Sequence, residues 1–421
     1  MFPFFLPEIP PPEASSASPV TGERSTAKPL PLQRPNRYQH SMTLDATHPA
    51  LDDLRKRAKK RIPHFVWEYL DSATGDEATK HRNRAELDEV LLKPSVLHGE
   101  FTADLTTTLM GRTYPLPFGI APIGMSGLIW PDAECTLARL AAKISIPYGL
   151  STVASQTPET LAPHIGDQGW FQLYPPRDPE IRSDILNRAK NAGFHTLVLT
   201  VDVPVASRRE RQTRSGLTNP PRLTPRLLAQ VARCPTWALG TLKHGTPRLR
   251  LMESYQKSTA ALSSTDHVGY LLRTSPDWDY LRELRDEWGG KLVVEGVLNT
   301  DDAQRLQAEG VDAVWVSNHA GRQFAGAPAS ITALPRIRKS VGPDYPLIFD
   351  SGINGGLDIL RAIALGANFV MLGRAFHYGL GAFGTKGAAH VVQILTQDMQ
   401  SNMGQIGAKT LKELPNCLWK P

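Results

Sequence analysis

Eight short apolar runs, separated by amphipathic stretches of ten or more residues, constrain this chain more than any other feature. The runs cover 117–123 (PFGIAPI), 147–151 (PYGLS), 169–173 (GWFQL), 196–201 (TLVLTV), 291–295 (KLVVE), 312–317 (DAVWVS), 346–350 (PLIFD) and 368–372 (NFVML). Consecutive rather than alternating apolar residues describe strands covered on both faces, and strands that alternate with helices build parallel sheets. Helical patterns fall between them, at 132–143, 157–164, 178–192, 300–309, 331–339, 355–365 and 384–402. Eight βα units are the number that closes a parallel barrel, so the expected fold is α/β, a (β/α)8 TIM barrel. With 41% apolar and 21% charged residues among 421, the composition is that of a soluble globular protein. No apolar run reaches the roughly 18 to 20 residues of a spanning helix.

The rest of the chain is arranged around this pattern. Residues 1–41, rich in Pro and Ser and lacking a basic start or an unbroken apolar run, read as a disordered leader rather than a signal peptide. The barrel domain spans 42–414, opening with two short helices at Ala50–Ala58 and Pro63–Leu70, and 415–421 is set apart as a tail. The one long interruption, about 207–276, is an insertion after the fourth strand. Between Arg208 and Arg250 it holds ten Lys or Arg against the single acid Glu210, whereas the whole chain carries +6. Without interleaved aromatics or a helix-turn-helix pattern this is no nucleic-acid signature; it reads either as a peripheral contact with an anionic membrane or acidic partner, or as a solvated loop. Cys135, Cys234 and Cys417 are too widely spaced for a disulfide framework or a metal site and are taken as inert.

In a barrel of this kind the active site lies at the carboxyl ends of the strands. Polar and small residues gather there: Pro122-Ile123-Gly124, Ser151, Gln172 with Tyr174, Thr200 with Asp202, Glu295, Ser317-Asn318-His319, Asp350-Ser351-Gly352 and Gly373-Arg374. The last two ends suit a phosphate, because glycines let backbone N–H groups approach, a helix starts beyond Gly352, and Arg374 offers a charged fork. No GxGxxG dinucleotide fingerprint follows a strand. In SNHAGRQF, His319 stands three residues before Arg322, a general base beside a carboxylate anchor.

With FVWEYLDSATGDEATKHRNRAELDEVLLKPSVL, APIGMSGLIWPDAE, WFQLY and LTVDVP…RRE in the same order, this stretch resembles the FMN-dependent 2-hydroxy acid dehydrogenase and oxidase family, which includes glycolate oxidase, L-lactate dehydrogenase and mandelate dehydrogenase. The resemblance runs from about Asp45 to Leu414. It implies His319 as the base, Asp202 as its carboxylate partner, Arg209 and Arg322 on the substrate carboxylate, Tyr69 beside that carboxylate and Tyr174 near the reacting hydroxyl. It implies FMN resting on Pro122, Ile123 and Gly124, with Ser151, Gln172 and Thr200 along the ring edge, Gly352, Gly373 and Arg374 at the phosphate, and Ser317 and Asp350 alongside.

Four positions depart from that family. Glu295 stands where the family has a lysine at the flavin edge, Asn354 replaces its first phosphate arginine, Ala325 its signature aspartate, and Ala320 a glycine. The expected function is oxidation of a small L-2-hydroxy acid to a 2-oxo acid, with a quinone, oxygen or a redox protein as second electron acceptor. Two alternatives stay open: an FMN barrel whose reaction is altered by Glu295, and a flavin-binding protein without turnover. A homotetramer is expected, cytoplasmic, with attachment to the inner face of the membrane as the variant suggested by the basic insertion.

Overall fold

The computed structural model describes residues 42–216, 224–255 and 274–419. The leader at 1–41 and parts of the insertion therefore lie outside the described residues. Strands are numbered in chain order. β1 (Thr107–Leu109) and β2 (Arg112–Tyr114) form an antiparallel hairpin, and β3 (Phe118–Ile120), β4 (Tyr148–Ser151), β5 (Gly169–Leu173), β6 (Thr196–Thr200), β7 (Lys291–Val297), β8 (Ala313–Val316), β9 (Leu347–Phe349) and β10 (Phe369–Leu372) form a closed parallel barrel. β10 pairs with β3 through Val370↔Phe118 and Leu372↔Ile120, which shuts the ring. All eight apolar runs of the sequence are barrel strands.

The strands read as unbroken apolar runs because both faces are covered. Trp170, Val198, Val293, Trp315, Ile348, Phe369 and Met371 fill the barrel, while Phe171, Leu197, Val294, Val314, Leu347 and Phe349 join the cluster made with the outer helices. Leu109 and Tyr114 of the hairpin belong to the inner cluster and plug its floor. The hairpin escapes a periodicity reading because each strand has only three residues; its signal is the Met110-Gly111 turn, with φ of 50° and 85°. Helix starts are better marked: Thr157 and Asp178 each cap a helix that has proline at its start, and Asn299 caps Thr300–Ala308.

Outside the insertion, five further helices among the described residues stand beyond the expected set, namely Met42–Thr47, Ala78–Asp88, Ser126–Ile129, Trp278–Trp288 and Arg374–Phe383. The expected N-terminal pair is present as Leu51–Arg61 and His64–Asp71. Leu51–Arg61 lies on Arg374–Phe383, where a Cβ at Gly381 would come within 3.0 Å of Ala58, and Arg57 and Arg61 donate to the Ala382 carbonyl near the end of that helix. The described residues of the stretch set apart as a tail, 415–419, are held: Leu411–Cys417 is a 3-10 helix, Leu418 bridges to Leu92, and Trp419 N–H donates to the Leu91 carbonyl.

The insertion forms helices Glu210–Arg214, Pro225–Ala232, Pro235–His244 and Arg250–Glu253. It is fastened over the barrel mouth. Gln230 accepts from the Phe65 N–H at 2.9 Å, and Trp237 donates to the Leu128 carbonyl at 3.0 Å while meeting Phe65 edge-on. Arg211 gathers Glu68, Asp71 and Glu77 from the N-terminal helices, at 2.6, 3.3 and 2.9 Å.

Candidate active site

A cavity of about 1050 Å³ opens at the carboxyl ends of the strands and is lined by Tyr69, Pro122–Gly124, Ser151, Gln172, Tyr174, Arg209, Glu295, His319, Arg322, Asp350, Gly352, Asn354, Gly373 and Arg374. Residues scattered over some 300 positions of sequence thus meet in one place. Thr200 and Asp202 reach the site through hydrogen bonds to members of this lining, Glu295 and His319 respectively. Ser317 does so through the backbone of His319.

His319 Nδ1 lies 3.0 Å from Asp202 Oδ1. Gly296 makes this approach feasible: at φ 101°, its position for a Cβ falls 2.5 Å from the Asp202 Cβ, so any side chain would expel the carboxylate. His319 and Ala320 both adopt left-handed backbone, with φ of 55° and 54°. Ala320 therefore replaces a glycine at a position that does require positive φ. Two serines hold this turn: Ser317 Oγ accepts from the His319 N–H and Ser351 Oγ from the Ala320 N–H, each at 3.0 Å. Ser351 in turn donates to Asp350 at 2.7 Å. Burial pushes the Asp350 carboxyl up to about 6, against the pull of the Ser317 and Ser351 hydroxyls.

Three arginines crowd the same wall. Arg322 donates to the Tyr69 and Ser72 carbonyls, and its guanidinium lies 5.8 Å from the Tyr69 ring centre. Burial first, then the nearby charges of Arg209 and Arg374, weaken its hold on its proton, so an anion placed among the three would be strongly favoured. Arg209 sits in left-handed backbone at φ 39° and donates to Ser207 Oγ. Tyr69 Oη donates to the Gly124 carbonyl at 2.8 Å. Burial, with Glu295 and Asp202 beside it, raises the Tyr174 phenol, which therefore stays a hydrogen-bond donor.

The phosphate end differs in detail from the sequence reading. The helix beyond Gly352, Gly356–Ala364, has carboxylates at its start: Leu357 N–H donates to Asp398 and, just ahead of the helix, Asn354 N–H donates to Asp358. The helix start that borders the cavity is that of Arg374–Phe383, with Gly373 before it. Arg374 donates to the Leu70 and Ser72 carbonyls, joining Arg322 on the end of helix His64–Asp71. Asn354 is exposed. Arg84 also lines this end, bonded to the Gly352 carbonyl and to Asp358, a residue the sequence reading missed because its helix had not been recognised. Glu134, likewise missed, is 1% exposed and accepts from the Gly127 and Ser155 N–H groups, tying the loops after β3 and β4 together.

A planar, phosphate-bearing cofactor fits these walls. At the cavity edge Gly124 leaves no room for a side chain, since a Cβ would meet Val153 at 2.7 Å; Gln323 keeps a buried amide without a partner among the described residues; and basic groups cluster at the far end. Only Glu295 runs against the charge expected at a ring edge.

Fold and site together define a flavin-type (β/α)8 barrel enzyme with an acid–base pair and an anion clamp. Residues 58–420 match the FMN-dependent dehydrogenase family, and the chain belongs to that family and uses FMN. L-lactate dehydrogenase of Vibrio parahaemolyticus is 37% identical over 369 residues, covering 87% of this chain and 97% of its own, and that of Xanthobacter autotrophicus is 36% identical over 366 residues, covering 86% and 94%. Among solved structures, the monotopic membrane protein (S)-mandelate dehydrogenase superposes with a TM-score of 0.84 at 35% identity, over 88% of this chain and 99% of that one. A putative lactate oxidase of Pediococcus acidilactici gives 0.74 at 28% identity, over 87% and 93%.

Proposed function

We propose that this protein oxidises a small L-2-hydroxy acid to the corresponding 2-oxo acid. The observation that carries the reading is the His319–Asp202 pair at 3.0 Å on the same cavity as Arg209, Arg322, Tyr69 and Tyr174. Arg322 and Arg209 hold the substrate carboxylate, Tyr69 closes against it, and Tyr174 donates to the reacting hydroxyl. His319 Nε2 takes the substrate proton, and Asp202 on Nδ1 fixes the ring and stabilises the imidazolium that results. Pro122, Ile123 and Gly124 support the cofactor ring, Ser151, Gln172 and Thr200 line its edge, and Gly352, Gly373 and Arg374 take its phosphate. FMN, when bound, would accept the two electrons and the second proton of this two-hydrogen oxidation, the first proton being the one held by His319. His319→Ala should keep FMN bound yet slow its reduction by substrate by roughly two to four powers of ten, the usual worth of a general base; an unchanged rate would remove His319 from the scheme.

The insertion favours a peripheral membrane contact. Leu228, Leu239 and Leu242 on its two longer helices are 55%, 66% and 81% exposed, among Arg226, Arg233 and Lys243. Apolar side chains framed by basic ones suit an anionic bilayer surface, with a quinone as second acceptor. No helix among the described residues is long and apolar enough to cross a membrane. Co-sedimentation with anionic vesicles that is lost in high salt and in Leu239→Ser/Leu242→Ser supports this contact; equal binding to neutral vesicles, or none, returns the segment to a solvated role. Assembly as a homotetramer is checked by light scattering of the holoenzyme.

A further inference from the structure

Glu295 is a carboxyl in the barrel mouth to which the scheme above gives no task. It stands on β7, 6% exposed, and lines the cavity. A chain of side-chain hydrogen bonds crosses four neighbouring strands to reach it. Ser151 Oγ donates to Gln172 Oε1 at 2.6 Å, Gln172 Nε2 to Thr200 Oγ1 at 2.9 Å, and Thr200 Oγ1 to Glu295 Oε2 at 2.6 Å. Every donor in the chain is directed toward Glu295, so Oε2 is used as an acceptor and Oε1 remains to carry a proton.

The charged and titratable groups facing Glu295 are unfavourable to a carboxylate. Asp202 lies at the end of β6 and Asp350 at the end of β9; Tyr174, beyond β5, senses the same charge. His319, which lines the same cavity, already belongs to Asp202. Among the described residues no ion pair reaches Glu295. Three carboxyl groups in one buried mouth do not all ionise, and the proton stays where compensation is poorest. Asp202 has His319, Asp350 has two serine hydroxyls, and Glu295 has one threonine.

We propose that Glu295 keeps its proton at neutral pH and presents an un-ionised carboxyl, a hydrogen-bond donor, to the edge of bound FMN that Ser151, Gln172 and Thr200 outline. The inference rests on FMN occupying the cavity as assigned above. Burial first, then Asp202 and Asp350, push this carboxyl well above the usual carboxylate range, against the opposing pull of Thr200. A neutral acid places no negative charge against a ring that is gaining electrons; once ionised, the same group makes that gain harder.

The test compares FMN-loaded wild type with Glu295→Gln, which has the same shape and cannot ionise, using dithionite as reductant so that no substrate is involved. At pH 7 the infrared difference spectrum between oxidised and reduced protein should contain a deuterium-sensitive carboxylic-acid C=O band that vanishes in Glu295→Gln. The wild-type reduction potential should match that of Glu295→Gln in mild acid and fall below it as pH rises. Absence of the band overturns the proposal, as does a wild-type potential lower by the same margin at every pH. Because dithionite replaces substrate, a failure of the hydroxy-acid reading would show separately, as substrates that do not reduce a protein in which the band persists.

Discussion

Replacing Asp202 by Asn isolates the electrostatic part of the acid–base pair. The amide keeps the volume and the contact with His319 Nδ1 but removes the charge that stabilises the imidazolium. Donor and acceptor atoms are 3.0 Å apart, which puts the charge centres about 4 Å apart, and at an effective dielectric of about 20 that attraction is about 4 kcal/mol. The His319 and Asp202 side chains are 20% and 12% exposed, so water screens part of it, and about 2 kcal/mol is a reasonable lower figure. At 1.36 kcal/mol per factor of ten, Asp202→Asn should slow flavin reduction by about 30- to 1000-fold. The assay is anaerobic stopped-flow reduction across substrate concentrations. The apparent substrate Kd should change little, because Arg209 and Arg322 are untouched. A limiting rate within threefold of wild type, or a loss confined to the apparent Kd, would refute the role given to this pair.

Other perturbations have equally definite outcomes. Arg211→Ala leaves Glu68, Asp71 and Glu77 short of a cation; since Asp71 and Glu77 keep Lys80, the cost should sit at about 3 kcal/mol, read by denaturant unfolding, and a loss below 1 kcal/mol would mean the cluster is solvent-screened. Ala320→Gly relieves a left-handed alanine and should stabilise by about 0.5 to 1 kcal/mol with reduction rates preserved; destabilisation would show that the Cβ is needed in packing. Glu295 has a raised folded-state pKa, so its contribution is full below the unfolded value of 4.5 and declines as pH rises toward the folded value, by up to about 1.4 kcal/mol per pH unit. Asp350, pushed to about 6, adds a slope common to both proteins below that pH, so above it the stability of Glu295→Gln should exceed that of wild type by a margin that grows with pH; parallel profiles would contradict the assignment.

The barrel was legible because burial on both strand faces leaves continuous apolar runs, and because strand ends carry the polar residues that cannot be spent inside. Thus His319, Arg322, Tyr174 and Asp202 could be named from position and resemblance before their distances were known. Illegible features have specific causes. The hairpin at 107–114 is too short for a period, and Ala78–Asp88 is an almost wholly polar helix with little amphipathic contrast, which hid Arg84. Arg209 was named from the resemblance, whereas for Arg211, two residues on in the same basic run, only three-dimensional packing shows that it is bound to acids from the N-terminal helices. The carboxylates at the helix start beyond Gly352 could not be foreseen, because Asp398 reaches Leu357 N–H from a distant helix while Asp358 of the same helix folds back to Asn354 N–H. Glu295 was visible as a departure, but whether it would turn away to an arginine was not; it faces Thr200 and two other carboxyls instead.

The central claim, that the barrel mouth removes two protons and two electrons from an L-2-hydroxy acid, is tested most directly by the visible spectrum of the purified FMN-loaded protein under anaerobic conditions. A panel of L-2-hydroxy acids of increasing side-chain size is added in turn. The account predicts that at least one bleaches the flavin absorbance and yields one 2-oxo acid per flavin, and that the D-enantiomer of the same acid does not. A flavin that dithionite reduces fully, yet that no L-2-hydroxy acid bleaches, would contradict it.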